Sequence, residues 1–321
     1  MKRTLYVRQE AIANFSTHGE AAVRFVPGAI VTLHRLTQEA NFRFVLIRNE
    51  ESSALPQMLA TLSSADVRFE MQVEVNKETA EVAPGDYLVG TTPAHAEIAE
   101  RLGAESLLIN ADAPLATWPE LYRRLRFPDR VATVHRKTRE TDVFVQLNLD
   151  GTGQAELRTG LSFFDHMLDQ LARHGGVDLT VRVEGDLHVD EHHTVEDTAL
   201  GLGEAFLKAL GDKRGIERYG FLLPMDDALA QVAIDFSGRN WLLWDAEFRR
   251  ERIGDLPTEM FYHFFKSFSD AARCNLNVRV EGDNEHHKIE AIFKAWARAI
   301  RRAVARDPRR PDQLPSTKGS L

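Results

Sequence analysis

Apolar, strand-like segments alternate with segments of helical periodicity along the first 125 residues. Strands are predicted near residues 4–7, 42–47, 67–75, 87–89 and 106–109. Helices are predicted near residues 28–38, 55–63, 94–102 and 115–125. This alternation is typical of an open, largely parallel α/β sheet, which we therefore expect in this part of the chain.

The pattern changes after residues 127–130, where Phe-Pro-Asp-Arg interrupts the alternation. Residues 143–150 and 229–235 alternate with period two, as half-buried strands do. Helical periodicity is found at residues 163–174, 198–210, 258–273 and 291–305. We expect two domains, 1–128 and 129–321. The second is predicted to be an α+β domain of two duplicated sheet-plus-helix halves, about 136–225 and 226–310, followed by a C-terminal tail.

An identical hexapeptide, Val-Arg-Val-Glu-Gly-Asp, occurs at residues 181–186 and 278–283. A His-His-x-x-Glu motif follows each copy, and its candidate metal ligands are His192, His193 and Glu196, then His286, His287 and Glu290. Residues three or four apart share a helix face, so each glutamate can meet either histidine of its pair on one ion. Adjacent histidines point about 100° apart, so each pair is expected to serve two ions.

Composition narrows the kind of site. The formal charge of −8 argues against a general nucleic-acid or membrane-surface role. The single cysteine, Cys274, excludes a cysteine-rich zinc module. Imidazole and carboxylate donors without thiolate suit Mn, Fe or Zn. No apolar run approaches the ~20 residues of a membrane span, and the N-terminus has no signal-peptide core, so a cytoplasmic location is expected.

From about residue 136 onward the chain closely resembles the imidazoleglycerol-phosphate dehydratase family of histidine biosynthesis. The motifs that carry the resemblance are Arg-Lys-Thr-Arg-Glu-Thr at 136–141, Phe-Phe-Asp-His-Met-Leu at 163–168, His-Gly-Gly at 174–176, both histidine-pair motifs and Ser-Thr-Lys-Gly at 316–319. The resemblance implies a hydro-lyase that converts imidazole glycerol phosphate to imidazole acetol phosphate. It also implies 24-subunit shells with active sites between subunits.

The resemblance implies two Mn²⁺ ions in each active site, which bind the imidazole of the substrate. The implied ligands are His166, His192, His193, Glu196, His263, His286, His287 and Glu290. His166 precedes its histidine pair by 26 residues and His263 precedes its pair by 23. The hexapeptide-to-pair spacing differs by the same three residues, so His166 and His263 occupy equivalent positions in the two halves.

Catalytic and phosphate-binding roles also follow from the resemblance. Glu140 is implied to contact the reacting part of the substrate, and Glu196 and Glu290 to combine metal binding with proton transfer. The residues implied to bind the substrate, chiefly its phosphate, are Gln170, His174, Arg218, Arg239, Ser316, Thr317 and Lys318. Cationic forks and hydrogen-bond donors suit a phosphate, whereas a terminal lysine is otherwise commonly a solvated tail residue.

The first domain has alternating strands and helices and runs such as Phe-Val-Pro-Gly at 25–28, Val-Leu-Ile-Arg-Asn at 45–49 and Pro-Gly-Asp-Tyr-Leu-Val-Gly at 84–90. By these features it resembles a histidinol-phosphate phosphatase of the haloacid-dehalogenase-like class, but its catalytic positions differ. That class has two aspartates after the first strand, where this chain has Arg8-Gln9-Glu10-Ala11. The acidic metal ligand expected after Gly90 is replaced by Thr91-Thr92. An arginine can neither attack phosphorus nor bind Mg²⁺. We therefore expect no Mg-dependent phosphatase site in this degenerate domain, with recruitment of Glu10 and Asp86 for another chemistry as the alternative.

Other functions stay open at this level. The chain could be a bifunctional dehydratase and histidinol phosphatase, a structural metal-binding assembly protein, or a dinuclear hydrolase with the same ligand types. Glu140 and the phosphate-binding tail favour the lyase, because neither a structural protein nor a hydrolase requires them.

Overall fold

The computed structural model describes residues 3–15, 23–39, 42–48, 55–69, 71–74, 86–109, 117–220 and 223–321. The chain divides into two compact units, Met1–Pro128 and Asp129–Leu321. In the described part of the chain, no helix is both long enough and apolar enough to span a membrane.

The first unit is an α/β unit. Its strands are β1 (Arg3–Arg8), β2 (Ala13–Phe15), β3 (Val23–Phe25), β4 (Phe42–Arg48), β5 (Met71–Glu74), β6 (Tyr87–Gly90) and β7 (Glu105–Leu108). Its helices are α1 (Gln9–Ile12), α2 (Ala29–Glu39), α3 (Leu55–Ser64), α4 (Pro93–Leu102) and α5 (Trp118–Arg126). Five strands form a sheet in the order β5-β4-β1-β6-β7, and every pair in it is parallel.

The predicted parallel sheet is confirmed, and its burial explains the apolar runs. Parallel sheets are covered on both faces, so their strands are nearly continuously apolar. Leu5 and Val7 belong to the larger core on one face, while Tyr6 and Leu88 belong to a smaller core on the other. Helix α1 and the β2–β3 hairpin were not predicted. The predicted helix start at Leu115 lies outside the described residues, and α5 begins at Trp118.

The second unit has more strands than its period-two segments predict. They are β8 (Val131–Lys137), β9 (Thr141–Asn148), β10 (Ala155–Arg158), β11 (Asp178–Gly185), β12 (Tyr219–Gly220), β13 (Leu223–Met225), β14 (Ala228–Asp235), β15 (Trp241–Asp245), β16 (Arg252–Ile253), β17 (Leu256–Pro257) and β18 (Asn275–Glu281). Its helices are α6 (Ser162–Gly175), α7 (His192–Leu210), α8 (Glu259–Ala272) and α9 (Glu285–Val304). Helices α7 and α9 start earlier than predicted, so both histidine pairs lie in a first helical turn.

Two mixed sheets enclose the four helices. One sheet has the order β10-β11-β9-β8, and the other has the order β12-β14-β18-β15. Each contains an antiparallel pair, β9 with β11 or β14 with β18, and a parallel neighbour, β10 or β15. Helices α6 and α7 pack on the first sheet, α8 and α9 pack on the second, and the helix layers meet as α7 on α8 and α6 on α9. One continuous apolar core fills the space between the layers.

Candidate metal centre

The first cluster of metal-ligand side chains joins α7 to α8. His192 and Glu196 lie one turn apart on α7, with Nε2 of His192 3.2 Å from Oε1 of Glu196. Nδ1 of His263, on α8, is 2.7 Å from the same oxygen. The three side chains each offer a ligand atom, and these atoms lie within 4.8 Å of one another. One ion can therefore meet all three.

The second cluster joins α6 to α9 and contains His166, His286 and Glu290, again with ligand atoms within 4.8 Å of one another. Nε2 of His286 is 3.5 Å from Oε2 of Glu290. The other oxygen of Glu290 is 2.9 Å from Nζ of Lys294. The second cluster therefore has a cationic partner on its carboxylate, which partly compensates the negative charge.

Each cluster takes its second histidine from the opposite half of the sequence repeat. His263 of the second half meets His192 of the first pair, and His166 of the first half meets His286 of the second pair. The cause is the packing of α7 on α8 and of α6 on α9. A Cβ atom at Gly203 of α7 would lie 2.8 Å from the carbonyl oxygen of Phe268 on α8, so glycine permits this close approach.

His193 and His287 lie outside both clusters and face aspartates. Nδ1 of His193 is 3.1 Å from Oδ2 of Asp186, and Nδ1 of His287 is 2.6 Å from Oδ1 of Asp227. The hydrogen bond that His193 donates to Asp186 raises the pKa of His193 above its ordinary value. The hydrogen bond that His287 donates to Asp227 raises the pKa of His287 in the same way. The two members of each pair thus point to different places, as the helix geometry predicts.

Sequence reasoning missed both aspartates. Asp186 ends the first hexapeptide and could have been found there. Asp227 lies 60 residues from His287 and gives no local sign of its role.

Glu140 lies beside His193 rather than in a cluster. Oε2 of Glu140 is 3.7 Å from Nε2 of His193, and the Glu140 side chain is 53% exposed. It follows the turn of Thr138, whose hydroxyl accepts from the backbone N–H of Glu140 at 3.1 Å. The carboxylate is therefore accessible to a substrate and close to a candidate ligand.

Part of the predicted phosphate-binding set converges at the C-terminus. Nη2 of Arg218 is 2.9 Å from Oδ2 of Asp235, and Nη1 donates to the carbonyl of Pro315 at 3.0 Å. A Cβ atom on Gly238 would lie 2.7 Å from the carbonyl carbon of Leu321. The end of the chain therefore packs on the turn that precedes Arg239, which brings that turn, Arg218 and the tail residues Ser316, Thr317 and Lys318 into one neighbourhood.

Gln170 and His174 lie instead on α6, which carries His166 of the second cluster. Buried Gln170 donates from Nε2 to the carbonyl of His166 at 3.2 Å. Burial lowers the pKa of His174, and the nearby charges of Lys294 and Arg298 lower it further. The predicted substrate-binding residues therefore form two groups in one chain, one beside the second cluster and one at the tail.

Comparison with known proteins identifies the second unit. A family model described as imidazoleglycerol-phosphate dehydratase matches residues 159–300. The crystal structure of imidazoleglycerol-phosphate dehydratase from Staphylococcus aureus is 32% identical, covers 55% of this chain and 99% of that chain, and has a TM-score of 0.51. The chain belongs to the imidazoleglycerol-phosphate dehydratase family. The predicted family and its hydro-lyase class are thereby confirmed.

Relatives of this dehydratase also span the first unit. The histidine biosynthesis bifunctional protein HisB of Spirosoma linguale is 48% identical over 94% of this chain and 93% of that protein. The protein of the same name from Bacteroides fragilis is 43% identical over 93% of this chain and 92% of that protein. The predicted place in histidine biosynthesis is confirmed, and the relatives have both units.

The first unit of this dehydratase has a cationic side chain where the phosphatase resemblance calls for an aspartate. Nε of buried Arg8 donates to Oε1 of Glu10 at 2.6 Å, directly after β1. Nε2 of His95 is 3.6 Å from the same oxygen. Nδ1 of His95 accepts from the backbone N–H of Thr91 at 3.0 Å. Burial first, and then the charge of Arg8, lower the pKa of His95.

Asp86 lies near the start of β1, at the opposite end of this strand from Glu10. Its Oδ1 accepts from the backbone N–H of Thr4, at the start of β1, at 2.6 Å. Glu10 follows the other end of this six-residue strand, about 20 Å away at the usual rise per residue. The two carboxylates therefore lie too far apart to share one site, and their recruitment for another chemistry stays a prediction.

Proposed function

We propose that the second unit dehydrates imidazole glycerol phosphate to imidazole acetol phosphate and water, and that the first unit has no phosphatase activity. The observation that carries the dehydratase proposal is the pair of crossed clusters. Each brings two imidazoles and one carboxylate within reach of one ion, in a chain that belongs to the dehydratase family.

The donor set fits two Mn²⁺ ions in each active site. Six imidazole and carboxylate side chains without thiolate suit Mn²⁺, and three donors in each cluster leave coordination positions for further ligands and the substrate. We assign the first ion to His192, Glu196 and His263 and the second to His166, His286 and Glu290. When bound, the ions supply Lewis acidity and orient the imidazole of the substrate.

His193 and His287 are proposed as the remaining ligands, supplied to clusters of neighbouring subunits. Their rings lie outside both clusters of their own chain, and each has a carboxylate on Nδ1. Completion by neighbours agrees with the expected homo-oligomer of 24 subunits, in which the active sites lie at interfaces. Metal binding and assembly are then coupled, because a ligand from another chain stabilises both.

Proton transfer and phosphate binding are assigned to different side chains. Glu140 is exposed and outside the clusters, which suits a proton-transfer group. Oε1 of Glu196 already contacts two histidines, so metal binding is its first role, with proton transfer by it or by Glu290 as a second role. Arg239 and the tail residues Ser316, Thr317 and Lys318 are proposed to bind the phosphate, with Gln170 and His174 at the other end of the substrate site. Arg218 contributes by anchoring the tail at Pro315.

We also propose that the two halves of the second unit are duplicates. Asp142 pairs with Glu184 in the first sheet, and Leu229 pairs with Glu281 in the second. Glu184 and Glu281 occupy the same place in the two hexapeptides. In both halves the hexapeptide strand pairs antiparallel with one long strand and parallel with one short strand, and this shared topology supports one ancestral sheet-plus-helix unit.

The first unit is proposed to be a haloacid-dehalogenase-like fold that serves as a scaffold or interaction surface. The Arg8–Glu10 ion pair supports the loss of phosphatase activity, because a buried guanidinium repels Mg²⁺ and occupies the nearby carboxylate. The whole protein is expected to act in the cytoplasm on a small phosphorylated substrate, without nucleic acid or membrane.

One experiment tests the dehydratase proposal against its alternatives. The purified chain, stripped of metal and reloaded with Mn²⁺, is incubated with imidazole glycerol phosphate, and imidazole acetol phosphate is measured. Product that depends on Mn²⁺ supports the lyase. Absence of product with metal-replete, assembled protein supports a structural metal-binding assembly protein. Release of inorganic phosphate instead indicates a hydrolase.

A second assay tests the first unit. The same preparation is incubated with histidinol phosphate and Mg²⁺, and inorganic phosphate is measured. We expect no release above a blank. Phosphate release that persists in the His263→Ala variant, which is expected to lack dehydratase activity, would establish the bifunctional alternative.

A further inference from the structure

Both carboxylate oxygens of Asp227 are engaged. Its Oδ2 accepts from the backbone N–H groups of Asp283 and Asn284, each at 2.9 Å. Its Oδ1 lies 2.6 Å from Nδ1 of His287. Asp283 and Asn284 directly precede α9, which carries His287. The backbone of that segment therefore fixes which oxygen faces the ring.

Asp186 meets His193 in a different way. Its Oδ1 and Oδ2 lie 3.2 and 3.1 Å from Nδ1 of His193, so both oxygens face the ring. Asp186 ends the first hexapeptide, and Asp283 ends the second. In the second half, however, Asp227 takes the place beside the histidine and Asp283 contributes a backbone donor. The two halves reach the same arrangement from different positions.

A carboxylate beside an imidazole nitrogen determines where the ring carries its proton. Ionised carboxylates only accept hydrogen bonds, so the adjacent nitrogen is protonated and the other keeps its lone pair. We propose that Asp186 and Asp227 are positioning residues that keep Nδ1 of His193 and His287 protonated, so that Nε2 is the nitrogen offered to a metal ion. The inference rests on the proposed function, in which both histidines are ligands.

The contacts at Nε2 are too long to oppose this assignment. Oε2 of Glu140 is 3.7 Å from Nε2 of His193, and Oδ2 of Asp226 is 3.9 Å from Nε2 of His287. Both exceed hydrogen-bond length, whereas the contacts at Nδ1 are within it. The tautomer is therefore set at Nδ1, and Nε2 stays open to a ligand.

The anchoring of Asp227 makes Asp227→Asn a sharp test. The two backbone donors require an oxygen at the Oδ2 position, so the amide nitrogen must take the Oδ1 position beside His287. An amide nitrogen donates, so Nδ1 must accept and the proton moves to Nε2, where it blocks metal binding. Asp227→Ala removes the partner but leaves the ring free to adopt either tautomer. Asp227→Asn should therefore weaken Mn²⁺ binding at least as much as Asp227→Ala does.

The measurement is Mn²⁺ affinity of the full-length, metal-stripped chain, determined by calorimetric titration. We expect Asp227→Asn to weaken binding about 10- to 100-fold, the usual cost of losing the hydrogen-bond partner of a ligand, and Asp227→Ala to weaken it no more. Asp186→Asn should have a smaller effect, because both positions face Nδ1 and the amide can turn its oxygen to the ring. Asp245→Asn, at an exposed position of β15, is the matched control and should bind Mn²⁺ as the unaltered chain does.

The outcomes separate this inference from the ligand assignment. If His287→Ala keeps full Mn²⁺ affinity, the ligand assignment in the proposed function is wrong. If His287→Ala loses affinity but Asp227→Asn binds as well as the unaltered chain, or better than Asp227→Ala, the tautomer inference is overturned.

Nitrogen-15 NMR of the metal-free, histidine-labelled protein gives a direct second readout. Asp227→Asn should convert one histidine from the Nδ1-protonated to the Nε2-protonated form. An unchanged tautomer would also overturn the inference, whatever the affinities.

Discussion

The two units of the chain differ in how they use charged side chains. In the second unit, imidazoles and carboxylates from four helices converge, and Oε1 of Glu196 lies 3.2 Å from Nε2 of His192 and 2.7 Å from Nδ1 of His263. In the first unit, Glu10 is bound to Arg8 directly after the central strand. Arg8 neutralises Glu10, which has His95 beside it, whereas Glu290 pairs with Lys294 through one oxygen and still lies with two histidines within reach of one ion. The side chains around each carboxylate, and not the sheet beside it, therefore decide whether a unit can bind a metal ion.

The largest expected effect comes from removing one donor of the first cluster. His263→Ala takes away the only ligand that α8 contributes to this cluster. Because a Lewis-acid metal supplies several kcal/mol to the reaction, we expect dehydratase kcat to fall about 10³-fold. Metal analysis should show about one ion fewer per chain.

Glu10→Gln is the matching change in the first unit and should leave dehydratase kcat and metal content unchanged. Loss of metal in Glu10→Gln, or retention of both ions in His263→Ala, would contradict the proposed difference in metal binding between the two units.

A smaller and more selective loss is expected for Glu140→Gln. Glu140 lies outside the clusters, so this variant should bind both ions while kcat falls about 10²-fold, the lower end of the usual loss for a general acid or base. Steady-state kinetics and metal analysis on the same preparation check this. A fall in metal content parallel to kcat would show that Glu140 is a ligand instead.

Much of the metal centre follows from the sequence because its central contacts are local. His192 with Glu196, and His286 with Glu290, lie four residues apart on a helix, and that spacing alone places them on one face. The parallel sheet of the first unit follows in the same way from its buried, apolar strands. Short edge strands such as β10 carry too few alternating residues to be predicted.

The crossing of the clusters could not be predicted from the sequence. It depends on which helices pack together, and His166 and His263 have equivalent positions in the repeat that say nothing about this. Asp227 was missed for a similar reason, since strand pairing across the second sheet brings it to α9. Long-range packing, not residue type, is the missing information in both cases.

The tail of the second unit is expected to act on substrate affinity alone. Lys318 is exposed, while the chain around it is held by the Arg218 contact to Pro315. Lys318→Ala should raise KM about 10- to 100-fold, since a hydrogen bond to a charged group contributes roughly 1.5–3 kcal/mol. Metal content and particle size by light scattering should not change. Lys208→Ala, at an exposed position of α7, is the control, and a loss of metal in Lys318→Ala would contradict the assignment.

The smallest expected effect concerns the stability of the first unit in acid. Burial, and then the charge of Arg8, lower the pKa of His95, whereas Glu10 acts in the opposite direction. A histidine with a lowered pKa contributes its full stability above its unfolded pKa of about 6.5. That contribution is lost as the pH falls through this value towards the folded pKa, because the folded state must then bury a charged ring.

Calorimetric unfolding of the metal-loaded protein at pH 7.5 and 5.5 checks this, with His95→Gln as the variant that does not titrate. Between pH 7.5 and 5.5, the unfolding temperature of the first unit should fall more in the unaltered chain than in His95→Gln, by on the order of a few degrees. The second unit offers the contrast. Burial alone would raise the pKa of Asp178, but backbone N–H groups of residues 152–154 hold it below its ordinary value. Its contribution is therefore complete above its unfolded pKa of about 3.9 and is lost only as the pH falls below that value. If the unfolding of the first unit has the same pH dependence in both proteins, Glu10 offsets the charge of protonated His95. The Arg8–Glu10 ion pair after β1 would then tolerate protonation of His95 instead of opposing it.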